Sequence, residues 1–207
     1  MTTLTQMTKR RKVSYPWERY WAPRDGHFRL LDGFVDGSEF ARDHGFSQAA
    51  QFEAFRHVPC LVLLGEPGIG KSNAMEQEFA RAMELIESGV RDVKKIDLRE
   101  VGDEASFYRE AFESEEMRAW KSGSGSMTLF IDSLDEGLMN MDRVTPLVVK
   151  GLNSMPTERL YLRIACRTAE WPRGIEDALD AIWRKELIQI RELLPLTKEQ
   201  VVDAAKA

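Results

Sequence analysis

Eight consecutive residues, Gly65-Glu66-Pro67-Gly68-Ile69-Gly70-Lys71-Ser72, spell G-x-x-x-x-G-K-[ST] without a gap. Glycines reach backbone angles closed to other residues, so successive N–H groups can turn inward around phosphate oxygens. A loop that runs on into a helix N-terminus adds unpaired N–H groups and the positive end of the helix dipole. Lys71 supplies a point charge for the β- and γ-phosphates, and Ser72 offers a hydroxyl to Mg²⁺. Asn73 follows directly and is taken with the loop as part of the nucleotide contact. The chemistry implied is the holding of a magnesium–nucleoside triphosphate. No base-reading element can be identified, so ATP and GTP both stand.

A second constellation is Leu129-Phe130-Ile131-Asp132-Ser133-Leu134-Asp135-Glu136. An apolar strand that ends in an acid puts one carboxylate beside a metal bound at the loop. Asp132 is the expected Mg²⁺ carboxylate, acting through a water. Asp135 and Glu136 follow, and one of them could orient or deprotonate an attacking water. Glu136 is the first choice and Asp135 its competitor. The plainer alternative is that the two acids cap the next helix or face solvent.

The elements that must position these groups can be read around them. Cys60–Leu64 is a short apolar run bounded by Pro59 and Gly65, the pattern of a strand covered on both faces of a parallel sheet. Met75, Phe79, Ala82 and Ile86 recur at helical spacing, which predicts a helix over 71–88 closed by Gly89. A strand over 93–98, a helix over 107–120, and a flexible Gly/Ser connection over 121–126 come next. Strands are then expected over 127–131, 160–165 and 187–190, with helices over 144–155 and 175–183. Alternating strands and helices mean a three-layer α/β domain with a mostly parallel, five-stranded sheet. In such sheets ligands sit at the carboxyl ends of the strands, where both constellations fall.

Residues 1–55 differ from the rest. They hold Trp17, Tyr20, Trp21 and several glycines, including Gly26, Gly33 and Gly37, with no helical period until about Glu39. The stretch 28–35 alternates weakly, as a short strand or hairpin would. This segment is expected to be a lead-in that packs its aromatics on the main domain, 56–194, with 195–207 beginning a linker.

The chain has 207 residues, with 29 Lys and Arg against 34 Asp and Glu, a net charge of −5. That balance argues against a protein whose main work is neutralising nucleic-acid phosphates. The one basic run, Lys9-Arg10-Arg11-Lys12, reads as a solvated tail. Cys60 and Cys166 lie in apolar runs without metal-ligand spacing, so they read as reduced, buried thiols of a cytoplasmic protein. No apolar stretch reaches the ~18 residues of a membrane span.

The ending D-S-L-D-E, with small Ser133 directly after the metal acid, resembles the NACHT branch of the STAND P-loop nucleoside-triphosphatases. Most AAA+ ATPases carry a glutamate in the place of Ser133. The run Ile164-Ala165-Cys166-Arg167-Thr168 resembles the family's sensor strand, which implies Arg167 as the arginine that reaches the γ-phosphate; its plainer reading is a surface arginine at a strand end. Glu192-Leu193-Leu194-Pro195-Leu196-Thr197 resembles the linker into a helical domain. The resemblance covers about 59–207. It implies a strand order of 5-1-4-3-2, ATP as the nucleotide, and a switch that governs self-association or contact with sensor domains further along a longer chain. Bacterial antiviral defence is one role it implies. A nucleotide-binding scaffold with little hydrolysis and an AAA+-like motor or loader remain the alternatives.

Overall fold

An apolar run with no polar position to turn to water must be covered on both faces. Cys60–Leu64 is covered in this way, and all five residues are fully buried. The computed structural model that shows this describes residues 19–26, 30–35, 49–86 and 91–206. The basic run 9–12, Trp17, Phe28, Gly37, the helical onset near Glu39, and Gly89 lie outside the described residues.

In chain order the elements are β1 (Trp21–Pro23), β2 (Leu30–Leu31), β3 (Phe34–Val35), β4 (Cys60–Leu64), α1 (Lys71–Ile86) and β5 (Arg91–Asp97). After them come α2 (Glu104–Phe112), α3 (Glu115–Ser122), β6 (Ser126–Asp132), α4 (Leu134–Asn140) and α5 (Val144–Asn153). The series ends with β7 (Leu160–Ala165), α6 (Arg173–Ile182), β8 (Ile188–Leu193) and α7 (Lys198–Lys206). Strand β4 lies between β7 and β8, parallel to both, and β6 and β5 extend the parallel pairing beyond β7.

The pleat of β4 divides the core. Cys60, Val62 and Leu64 pack with Phe107, Phe112, Val148 and Ile175, from α2, α5 and α6. Leu61 and Leu63 point the other way, into Met75 of α1, Phe52, Phe55 and Trp21. Each such buried side chain contributes about 1.5–3 kcal/mol. Helices thus cover both faces of one mostly parallel sheet.

Several expectations need correction. Among the described residues the sheet has six strands, not five, and its order is β1-β8-β4-β7-β6-β5. It differs from the expected order by β1, a strand of the lead-in that adds antiparallel to β8 with Trp21 opposite Leu193. The helix expected over 107–120 is two helices, because Ser114 leaves the helix and its hydroxyl accepts the N–H of Met117, capping α3. Helix α3 continues to Ser122 and β6 begins at Ser126, so the Gly/Ser stretch is a tight link and not a long flexible one. Helix α4 was not anticipated. The alternating stretch is a hairpin, β2 with β3, turned at Asp32 and Gly33 with φ of 53° and 82°.

Candidate functional site

The glycine loop follows the carboxyl end of β4, and α1 starts inside the motif at Lys71. Gly68 has φ +74° and Gly70 φ +106°, angles that an L side chain rarely adopts. Gly70 carries a second constraint, since a Cβ there would stand 2.8 Å from Nη1 of Arg19. Glu66, Pro67 and Gly68 are exposed at the tip, Gly65 is buried at the strand end, and Ile69 and Gly70 are half-buried. The first-turn amides of α1 have no intrahelical acceptors and face the loop end of the helix. Lys71 donates Nζ protons to the carbonyls of Gly65, at 2.6 Å, and Glu66, at 3.0 Å. Burial lowers its pKa, while the charge of Asp135 acts the other way. Asn73 is exposed on the helix surface.

Asp132 ends β6 and is 1% exposed. Its Oδ1 accepts the Ser72 hydroxyl at 3.2 Å and the Ser133 amide at 2.8 Å. Its Oδ2 is buried without a hydrogen-bond partner. Burial raises the Asp132 pKa, and the neighbouring charge of Asp97 adds to this. An orphaned carboxylate oxygen beside a serine hydroxyl, at the mouth of a phosphate loop, fits Mg²⁺. That ion keeps several waters and takes one or two carboxylates with substrate phosphates, so it needs no cage of protein ligands. Among the described residues no group of three or more His, Cys, Asp or Glu could hold a metal ion alone. Ser133 takes the left-handed conformation, φ 57° and ψ 42°, and this bend starts α4 directly at the strand end.

That bend brings Asp135 and Glu136, in the first turn of α4, against Arg167 just past β7. Arg167 Nε lies 2.7 Å from Asp135 Oδ2 and Nη2 lies 2.7 Å from Glu136 Oε1. The Arg167 amide also donates to Asp135 Oδ1 at 3.2 Å. Asp135 is buried with both oxygens engaged, whereas the Glu136 side chain is 33% exposed. All three residues that sequence reasoning picked for chemistry therefore form one ion-pair cluster. The arginine engages both candidate bases at once.

Sequence reasoning passed over two residues. Asp97 ends β5, and the parallel register sets it opposite Asp132, where Arg99 and Ser133 hold it. Its signal was available, since β5, like β6, closes on an acid. Arg19 comes from the lead-in and donates to the Ile69 carbonyl at 2.7 Å and the Leu194 carbonyl at 2.9 Å. It ties the phosphate loop to the segment after β8, and no local pattern announced it.

No known protein family's sequence pattern matches the chain, and no curated protein matches it. Among solved structures it is similar to Cdc6p from Pyrobaculum aerophilum, with a TM-score of 0.51 and 15% identity over 75% of this chain. It spans 45% of that chain. It is also similar to the Aeropyrum pernix ORC2 protein, with a TM-score of 0.44 and 11% identity over 72% of this chain and 45% of that one. At such identity the first likeness carries the fold alone. That fold is the P-loop nucleoside-triphosphatase fold. No described helix is long and apolar enough to cross a membrane.

Proposed function

We propose that this chain binds Mg·ATP at the glycine loop and hydrolyses it, as the core of a cytoplasmic, nucleotide-dependent switch. The observation that carries the reading is the meeting, at one end of the sheet, of the loop, the Ser72–Asp132 pair with its orphaned oxygen, and the Arg167 cluster. Lys71 exchanges its bonds to the Gly65 and Glu66 carbonyls for bonds to β- and γ-phosphate oxygens. Loop and first-turn amides of α1 take the remaining phosphate oxygens. Mg²⁺, held by Ser72 and through a water by Asp132, would neutralise charge on those oxygens.

Arg167 then turns from the acids to the γ-phosphate, as the resemblance of its strand to a sensor strand implies. Asp135 keeps the Arg167 amide and acts as a positioning residue. Glu136, released and more open to solvent, takes a proton from the water that attacks the γ-phosphorus. The new P–O bond forms as the bond to the β,γ-bridging oxygen breaks, and ADP and phosphate leave. The same exchange of ion pairs would move α4 relative to β7, and this movement is the switch that self-association or further domains of a longer chain would read.

A nucleotide-binding scaffold with little hydrolysis is the second reading, favoured by the same ion pairs, which hold both acids away from a water. Single-turnover hydrolysis separates the two. Glu136→Gln should keep nucleotide bound and slow turnover about 10²–10⁴-fold, the usual worth of a general base. Asp135→Asn should have the smaller effect on hydrolysis. Wild-type rates in both variants would reject the base assignment and leave the scaffold.

A further inference from the structure

Beneath α1, at the end of the sheet opposite the phosphate loop, Arg56, Arg81, Arg91 and Arg163 line one cavity of about 100 Å³. Arg81 lies ten residues after Lys71, which places it about 15 Å down the helix. Arg91 begins β5, and Thr128 stands near the start of β6. The cavity is thus separate from the site described above.

Among the described residues the lining holds one carboxylate against the four guanidinium groups, Glu78, and Arg56 already holds it through two bonds of 2.6 and 2.7 Å. Arg163 is 3% exposed; its Nη1 protons go to the main-chain carbonyls of Val58 and Leu162, and one Nη2 proton goes to that of Arg56. No carboxylate lies within ion-pair distance of it among the described residues. Burial lowers its pKa to about 10, so it stays charged at neutral pH. Arg91 is fixed by stacking 3.7 Å from the ring centre of Tyr161. A buried cation without a counter-charge is costly, and Arg163 is one; half-buried Arg91 and exposed Arg81 converge beside it, and among the described residues no carboxylate pairs with any of the three.

A second observation points into the same space. Thr128 is 4% exposed, lines the cavity, and its hydroxyl has no hydrogen-bond partner. Buried hydroxyls are almost always bonded, so an orphan beside unneutralised arginines marks the place of an acceptor. The volume exceeds several-fold the ~10–15 Å³ that one water needs, and it suits a five-atom oxyanion. A neighbouring cavity of about 260 Å³ shares Phe52, Arg56, Glu78 and Arg81. It is lined by Trp21, whose Nε1 is also buried without a partner.

We infer that this pocket is a second ligand site, specific for a phosphate-type oxyanion that Arg81, Arg91 and Arg163 bind and the Thr128 hydroxyl orients. Guanidinium forks match such oxyanions in geometry as well as charge. A doubly charged oxyanion balances the arginine surplus better than a single carboxylate does. The phosphate arrives either as the free ion or on a small organic ligand, whose body would occupy the neighbouring cavity beside Phe52.

Calorimetric titration of the full chain with inorganic phosphate and with phenyl phosphate, at fixed ionic strength, tests this. Both probes should bind the wild type and also Lys71→Ala, which removes the main side-chain charge of the phosphate loop. Thr128→Val keeps the shape without the hydroxyl and should weaken binding about tenfold, as should Arg91→Gln. Thr128→Val should also melt higher than the wild type without ligand, which shows that it folds and that the hydroxyl was orphaned. Tighter binding of phenyl phosphate assigns the carried form, and equal binding assigns the free ion. Loss of binding in Lys71→Ala with retention in Thr128→Val would overturn the site, as would no binding of either probe to the wild type.

Discussion

Replacing Asp132 by asparagine should stabilise the nucleotide-free chain while removing its response to Mg·ATP. Asparagine keeps the size of the side chain, and its Oδ1 can still accept from the Ser133 amide and the Ser72 hydroxyl. Its amide nitrogen takes the place of Oδ2, which is buried without a partner and adjoins the charge of Asp97. An unsatisfied buried polar group costs about 1–3 kcal/mol, and more when charged. The neutral part of that penalty remains in the variant, so the relief is the charge part, about 1–2 kcal/mol. For a domain of this size each 1 kcal/mol moves the melting temperature by about 2–4 °C, so the variant should melt about 2–8 °C higher in EDTA. With Mg·ATP at one hundred times its Kd the wild type should gain about 2.7 kcal/mol and the variant much less, so their order reverses. Thermal unfolding with and without ligand reads both. A variant that melts lower than the wild type in EDTA would refute the reasoning, because Oδ2 would then have been a satisfied group.

Two further outcomes test the packing. Gly151→Ala would place a methyl 2.5 Å from three ring carbons of the fully buried Phe112, which itself packs edge-on to Phe107. The overpacking costs about 1–3 kcal/mol against a helix-propensity gain of up to about 1, so urea denaturation should show a net loss of about 1–2 kcal/mol. Burial pushes both thiols, Cys60 and Cys166, up to about 12. A thiol reagent at pH 8 should therefore label the native chain only on the timescale of opening, and label both cysteines at once in denaturant. Rapid labelling of either in the native chain would contradict their burial.

Much of this arrangement was legible because the candidate site residues sit where an apolar run stops. Asp132 closes β6, Arg167 comes just after β7 and the glycine loop follows β4, so strand ends pointed to the candidate site before any geometry did. Strand β1 was not legible, since Trp21-Ala22-Pro23 is too short for a period and gains its meaning only from pairing with β8. Helix α4 escaped notice because it starts one residue after β6, through the left-handed Ser133. It also contains Gly137, a poor helix former, where a Cβ would come 2.2 Å from Cδ2 of Leu98. The ion pairs of Arg167 with Asp135 and Glu136 reach across about thirty residues of sequence, and the hydrogen bond from Arg19 to the loop reaches across fifty. Such contacts are properties of the fold and leave no local mark.

The central claim is that the glycine loop is a nucleotide site, and calorimetric titration with Mg·ATP on the wild type and Lys71→Ala tests it most directly. Two lost charge-assisted bonds to phosphate, at about 1.5–3 kcal/mol each, predict affinity weaker by about 10²–10⁴-fold in the variant. Saturable binding by the wild type and its loss in Lys71→Ala is the expected result. Equal affinity in the two proteins, or no binding by the wild type, would contradict it.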